Sequence, residues 1–189
     1  EGGRAMRVEK TGLEKRDKSQ RRRRIVALSG AHTRGISGVL ASDRCAVSWS
    51  KDHAIWLWDL DREEAVTMLD ATSHDGIYAC AMTLDAKRII SCGYDKNLRI
   101  WDSASGKCLL VLSGHSDSVL SCSVTASGEH VASCSYDGTV RIWDGAMGTT
   151  RLVLEGHSDR INACSITASG GRVASCSRDR SVRIWETVG

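Results

Sequence analysis

With 189 residues, 41% of them hydrophobic and 26% charged, the chain has the make-up of one globular domain with a sizeable core, which excludes a wholly disordered polymer. It contains no Pro and no Phe, so core volume has to come from Trp, Leu, Ile and Val, and no apolar run approaches the roughly 20 residues of a membrane span. The net charge of +3 is unevenly placed: residues 1–24 hold 10 Lys or Arg against 4 Asp or Glu, and the rest hold 16 against 19, so a basic face for nucleic acid is not indicated on the body of the chain.

Residues 1–23 have little apolar content and no stable period, and read as a disordered basic tail. The tail is too polar for a secretory signal, and its start at Glu rather than Met suggests a fragment or a processed product. Arg21–Arg24 is a run of four arginines. A solvated linker is the favoured reading of that run, with a nuclear-localisation or nucleic-acid patch as the alternative. Residues 24–29, RIVALS, look like KCLLVLS at 107–113 and TRLVLE at 150–155, and so read as an outer strand without inner strands of its own.

From residue 30 onward the chain is four copies of one unit, at about 30–70, 71–112, 113–154 and 155–189. The first copy carries His32, Ser48, Asp52 and Trp58, and the second His74, Ser91, Asp95 and Trp101. The third carries His115, Ser133, Asp137 and Trp143, and the fourth His157, Ser175, Asp179 and Trp185. The histidines step by 42, 41 and 42 residues. Copies three and four agree at about 20 of 31 positions. The first copy is the least regular: two residues are missing near Ala41–Arg44, Trp56 replaces the Arg of the other copies (Arg99, Arg141, Arg183), and Trp49 replaces their Cys. Alternation in Val140-Arg141-Ile142 predicts a strand, and Ser-Gly at 127–128 and Asp-Gly at 137–138 predict tight turns.

A period of 40–45 residues punctuated by Gly-His and Trp-Asp is a propeller-blade signature. The chain resembles the WD-repeat β-propeller family over roughly residues 25–189. The resemblance implies an all-β fold of four four-stranded blades, with the His on the entry loop, the Ser on the second strand, the Asp in the following turn and the Trp on the third strand. It also implies that the four residues form a hydrogen-bonded structural tetrad in every blade, and that residues 24–29 complete the last blade, which stops after its third strand. Four blades of ordinary wedge angle leave two apolar flanks open. The array is therefore expected to be part of a longer propeller or a homo-oligomeric ring, ahead of strained self-closure.

The eight cysteines do not suggest a metal or disulfide framework. Cys80, Cys122 and Cys164 recur at one blade position and Cys92, Cys134 and Cys176 at another, and there is no C-x-x-C pair. They read as small buried residues, and as reduced thiols they fit a cytoplasmic or nuclear protein. The Ser, His and Asp of each copy have the composition of a hydrolase triad, but four copies at blade spacing suit architecture and not catalysis. No Walker loop, G-x-S-x-G or H-E-x-x-H is present. The expectation is thus a non-enzymatic protein-interaction scaffold or sensor without cofactor or metal, with a nuclear factor using the arginine tail as the alternative. In the resembled family, partners meet the loop face at positions three and five residues after the His and one before the Asp. Carried across, these are Gly35, Ser37 and Lys51; Gly76, Tyr78 and Tyr94; Ser118, Leu120 and Tyr136; and Arg160, Asn162 and Arg178. Tyr78, Tyr94, Leu120, Tyr136, Arg160, Asn162 and Arg178 are the candidate partner-binding residues.

Overall fold

The computed structural model describes residues 30–70 and 76–187. The basic tail, the arginine run, the strand expected at residues 24–29 and His74 lie outside the described residues. Among the described residues there are fifteen strands and no helix, arranged as four antiparallel sheets. Blade one comprises β1 (Ile36–Ala41), β2 (Cys45–Ser50), β3 (Ala54–Asp59) and β4 (Glu64–Asp70). Blade two comprises β5 (Ile77–Met82), β6 (Arg88–Gly93), β7 (Leu98–Asp102) and β8 (Cys108–Leu112). Blade three comprises β9 (Val119–Val124), β10 (His130–Ser135), β11 (Val140–Asp144) and β12 (Thr150–Leu154). Blade four has three described strands, β13 (Ile161–Ile166), β14 (Arg172–Ser177) and β15 (Val182–Glu186). Within each sheet, strands follow chain order, as hairpins with short turns require.

Both flanks of a middle blade are covered, so its second strand is buried on alternate residues of both faces. In β6, Ile89, Ser91 and Gly93 point one way and Ile90 and Cys92 the other, and all are buried. The core therefore lies between blades, in three clusters. Val47, Trp49, Ile55, Leu57 and Leu69 of blade one meet Ile77, Cys80, Ile89 and Trp101 of blade two. Ile90, Cys92, Leu98, Ile100 and Leu112 meet Val119, Cys122, Val131 and Trp143 of blade three. Ala132, Cys134, Val140 and Ile142 meet Ile161, Cys164, Ile166 and Val173 of blade four. The outer strands face water on one side, which leaves Val66, Met68, Leu109 and Val111 exposed.

The departures of the first copy have structural counterparts. Its first hairpin has three residues, 42–44, where the other blades have five, 83–87, 125–129 and 167–171. The Trp49 ring occupies space above Gly38, where a Cβ would stand 2.2 Å from it, and its indole N–H donates to the Tyr78 carbonyl at 3.3 Å. Trp56 packs tilted against Trp58 at 6.4 Å, where Arg141 and Arg183 lie 5.8 Å over Trp143 and Trp185 in blades three and four. All eight cysteines are free thiols. Burial pushes the Cys80 and Cys92 thiols well above their ordinary range, which suppresses thiolate chemistry. Cys176 is only half-buried, contrary to the uniform burial expected from its repeat position, because among the described residues no blade covers that flank of blade four.

The turn after each tetrad Asp requires one residue in the left-handed region. His53, Lys96, Gly138 and Arg180 hold it, at φ of 63°, 68°, 80° and 69°. Only blade three uses glycine there. A side chain in this conformation costs about 1–2 kcal/mol, and a glycine's extra freedom in the unfolded chain costs roughly 0.5–1 kcal/mol. Arg180→Gly is therefore expected to raise stability by about 0.5–1 kcal/mol. Urea denaturation of the variant checks this, and a lower midpoint would contradict it.

Candidate functional site

Each blade carries a buried cluster of hydrogen-bonded polar side chains. In blade three the His115 Nδ1–H donates to Asp137 Oδ2 at 2.8 Å, and Ser133 Oγ lies 2.8 Å from His115 Nε2. The Trp143 indole donates to the same Ser133 Oγ at 2.8 Å. Trp can only donate and a carboxylate can only accept, so the Trp143 indole donates to Ser133 and the His115 Nδ1–H donates to Asp137, with Ser133 Oγ and His115 Nε2 sharing the hydrogen bond that joins the two halves. Blade four repeats this chain through Trp185, Ser175, His157 and Asp179, at 2.8, 2.9 and 2.7 Å. Blade one repeats it through Trp58, Ser48, His32 and Asp52, at 2.8, 2.8 and 3.1 Å. In blade two, Trp101 donates to Ser91 Oγ at 2.8 Å, and buried Arg99 donates to Asp95 Oδ2 at 2.6 Å.

Each Asp also organises the loops. Asp137 accepts from the Ser116 backbone N–H at 3.0 Å, the Thr139 N–H at 2.9 Å and the Thr139 hydroxyl at 2.7 Å. Asp179 accepts the Ser181 hydroxyl at 2.6 Å in the same manner. Burial raises the affinity of the Asp137 carboxyl for its proton, but the bonds from His115 and Thr139 outweigh it and hold the group below the ordinary carboxylate range. Asp179 is lowered too, chiefly by the Ser181 hydroxyl. Thr139 and Ser181 extend the four-residue cluster to five members. The sequence carried a signal for them: a hydroxyl residue two places after the Asp recurs in copies three and four, the spacing of an Asx-type turn.

Ser, His and Asp stand in these blades at the separations of a hydrolase relay, yet the arrangement has no access for a substrate. Ser133 is completely buried, and its oxygen already receives the indole proton. Among the described residues, no group of three His, Cys, Asp or Glu is placed to hold a metal ion.

Above the tetrads lies the loop surface. Backbone bonds from Tyr94 N to Gly76 O, Tyr136 N to Ser118 O and Arg178 N to Arg160 O, each 3.0 Å, tie the residue before the tetrad Asp to the entry loop in blades two, three and four. This sets Tyr94, Tyr136 and Arg178 side by side on successive blades, all exposed. The Arg160 guanidinium lies over the Tyr136 ring at 4.8 Å, joining blades three and four. Tyr78 and Asn162 are exposed, and Leu120 and Arg160 half-buried. Ser118 is not the exposed loop position expected from its spacing. It is 3% exposed, because its N–H turns to Asp117 Oδ1 at 2.7 Å and its carbonyl is covered by the Tyr136 loop.

The family described as "WD domain, G-beta repeat" matches residues 66–102, 106–144 and 148–186. The chain belongs to the WD-repeat family. The irregular first copy up to residue 65 falls outside those three matches, although its blade has the same strand order as the next two. Among solved structures, the fold is similar to that of the RRP9 WD40 repeats, with a TM-score of 0.76 and 24% identity over 84% of this chain and 49% of that one. Relatives include cell division control protein 4 of Candida albicans, 27% identical over 92 residues, and autophagy-related protein 16 of Arabidopsis thaliana, 36% identical over 75 residues. The small ribosomal subunit protein RACK1 of Schizosaccharomyces pombe is 33% identical over 66 residues. These matches take in 49%, 40% and 33% of this chain, but only 14%, 14% and 21% of the respective relatives. WD-repeat proteins generally act as non-catalytic scaffolds that bind other proteins.

Proposed function

We propose that this chain is a protein-interaction scaffold or sensor module that takes its partner on the loop face of blades two to four. The observation that carries the reading is the Arg160–Tyr136 stack between exposed Tyr94 and exposed Arg178. Tyr and Arg are the side chains most often found at the energetic centre of interfaces. Stacking fixes the guanidinium plane in advance, so less side-chain freedom is lost when a ligand arrives. A tyrosine platform beside two arginines suits a segment with an apolar anchor next to a carboxylate or phosphate, which Arg holds with paired hydrogen bonds.

Tyr94→Ala, Tyr136→Ala and Arg178→Glu are each expected to weaken binding of a partner recovered by pull-down, by about tenfold or more, as loss of roughly 1.4–2 kcal/mol requires. Thermal midpoints should stay near that of the parent, because these side chains are solvent-facing. Calorimetric titration of the recovered partner against the three variants decides the matter. Affinity that survives all three moves the interface to the rim or to the opposite end. There, the short 42–44 hairpin leaves a groove beside Leu40, Met82 and the exposed Leu84.

A further inference from the structure

A contact that closes two of the three blade junctions is missing at the first. Between blades two and three, Gly128 of the 125–129 hairpin is buried, and a Cβ there would stand 3.0 Å from the Thr83 methyl of the preceding blade. Between blades three and four, Gly170 is buried in the same way, with a Cβ 2.6 Å from the His130 ring. The equivalent residue of blade two is Ala86, also left-handed at φ 57°, and it is only half-buried. Its methyl group has room because the preceding hairpin, 42–44, is two residues shorter than the others. The result is a groove of about 700 Å³ between the two hairpins. β1 and β5 both run from the entry loops to these hairpins, so the groove lies at the end opposite the loop face. Leu40, Ala81 and Met82 form its apolar wall, with Leu40 and Met82 at the edge of the core shared by blades one and two. Leu84 stands at its lip, 81% exposed, where the two later hairpins carry Ala126 and Ala168. Both walls belong to described blades that already pack on each other.

We propose that this groove is a second docking surface, separate from the loop face, for an apolar and basic peptide segment of another protein. Two observations select that chemistry. Exposed Leu84 beside half-buried Leu40 and Met82 offers an apolar seat, and the Met82 thioether adapts to side chains of varied shape. The surround is acidic: residues 42–44, 59–64, 83–87 and 102–107, the four turns at this end of blades one and two, hold 7 Asp or Glu against 4 Lys or Arg. The Leu60 N–H donates to the Arg44 carbonyl at 2.9 Å, which holds the 59–64 turn beside the groove. Arg44 is the one cation lining the groove itself, where Asp43 and Asp85 accompany it. An excess of carboxylates around an apolar seat attracts Lys and Arg and repels an acidic segment. The first described residue, Gly30, adjoins the His32 loop and is separated from the groove by the six residues of β1, so a separate protein is the occupant proposed.

The probe is a short fluorescein-labelled peptide in which Leu and Lys alternate, titrated with the full chain and read by fluorescence anisotropy. Saturable binding is expected, weakening as salt rises to about 0.5 M, and the same peptide with Glu in place of Lys should not bind. Leu84→Ala should weaken binding at least about fivefold with sheet content unchanged by circular dichroism, since the side chain it trims is solvent-facing. Asp43→Lys combined with Asp85→Lys should weaken binding and flatten its salt dependence. Tyr136→Ala, on the loop face, should leave the affinity unchanged, which separates this surface from the one proposed above. Benzoylphenylalanine placed at position 84 identifies the occupant, and irradiation should link it to the peptide. No saturation up to about 1 mM peptide, equal affinity in Leu84→Ala, loss of binding in Tyr136→Ala, or a photo-link to residues 1–29 or to a second copy in place of the peptide would each overturn the proposal.

Discussion

Trp143→Ala is expected to be the most destabilising single truncation in the chain, lowering unfolding free energy by about 3–5 kcal/mol. That is a large fraction of the roughly 5–15 kcal/mol available to a domain. Three consequences of the truncation add. The ring is 1% exposed and packs into the junction with Ile90, Leu98 and Ile100 of blade two, so a cavity opens between blades. Its indole proton no longer reaches Ser133, and the fully buried hydroxyl loses a partner. The edge-on packing against the His115 ring at 6.0 Å is lost as well. Trp185→Ala makes the same polar change but at a half-buried ring on the terminal blade, and its cost should be smaller by at least about 1 kcal/mol because less apolar area is involved. Trp143→Phe refills most of the volume without the N–H and should fall between parent and alanine. Urea midpoints of the three variants test this order. Equal losses for Trp143→Ala and Trp185→Ala would mean that junction burial is not what the ring contributes.

The same contrast shows how far the sequence could be read. The recurring tryptophans, serines and aspartates marked blades because polar residues repeated at one spacing need repeated internal partners. The strands followed, since Val140 and Ile142 alternate with Arg141 on a two-residue period. The shortened hairpin at 42–44 was visible as two missing residues. What could not be read depends on the angle between neighbouring sheets. Arg160 and Tyr136 are 24 residues apart on different blades, and their stack exists only because the blade three–four junction brings the loops within 4.8 Å. The burial of Ser118 likewise depends on where the Tyr136 turn closes. The left-handed residues His53, Lys96 and Arg180 were hidden for another reason. Their side chains give no sign of the conformation, which only Gly138 advertises.

Asp137→Ala is expected to cost about 3 kcal/mol, although it removes few side-chain atoms, because it strands donors instead of opening space. The His115 ring is fully buried and its Nδ1–H has the carboxylate as its acceptor, with the Ser116 and Thr139 N–H groups bound to the same carboxylate. Asp137→Asn keeps the shape but replaces one acceptor oxygen with a donor, so it should recover part of the loss and no more. Acid provides the reversible form of the experiment. The folded-state pKa of Asp137 lies below its ordinary value of 3.8, so protons bind the unfolded chain more tightly. The stabilisation is therefore complete above the unfolded-state value. It declines as pH falls below about 5 and continues to decline until the depressed folded pKa is passed. Asp179 and Asp52 are lowered as well and contribute with the same sign. Thermal midpoints followed from pH 7 to pH 2 should fall steeply in the parent. In Asp137→Ala the curve should start lower and fall less, because one of the titrating carboxylates is gone. Parallel curves for the two proteins would show that Asp137 does not owe its lowered pKa to the folded blade, and would remove the electrostatic basis of the tetrad.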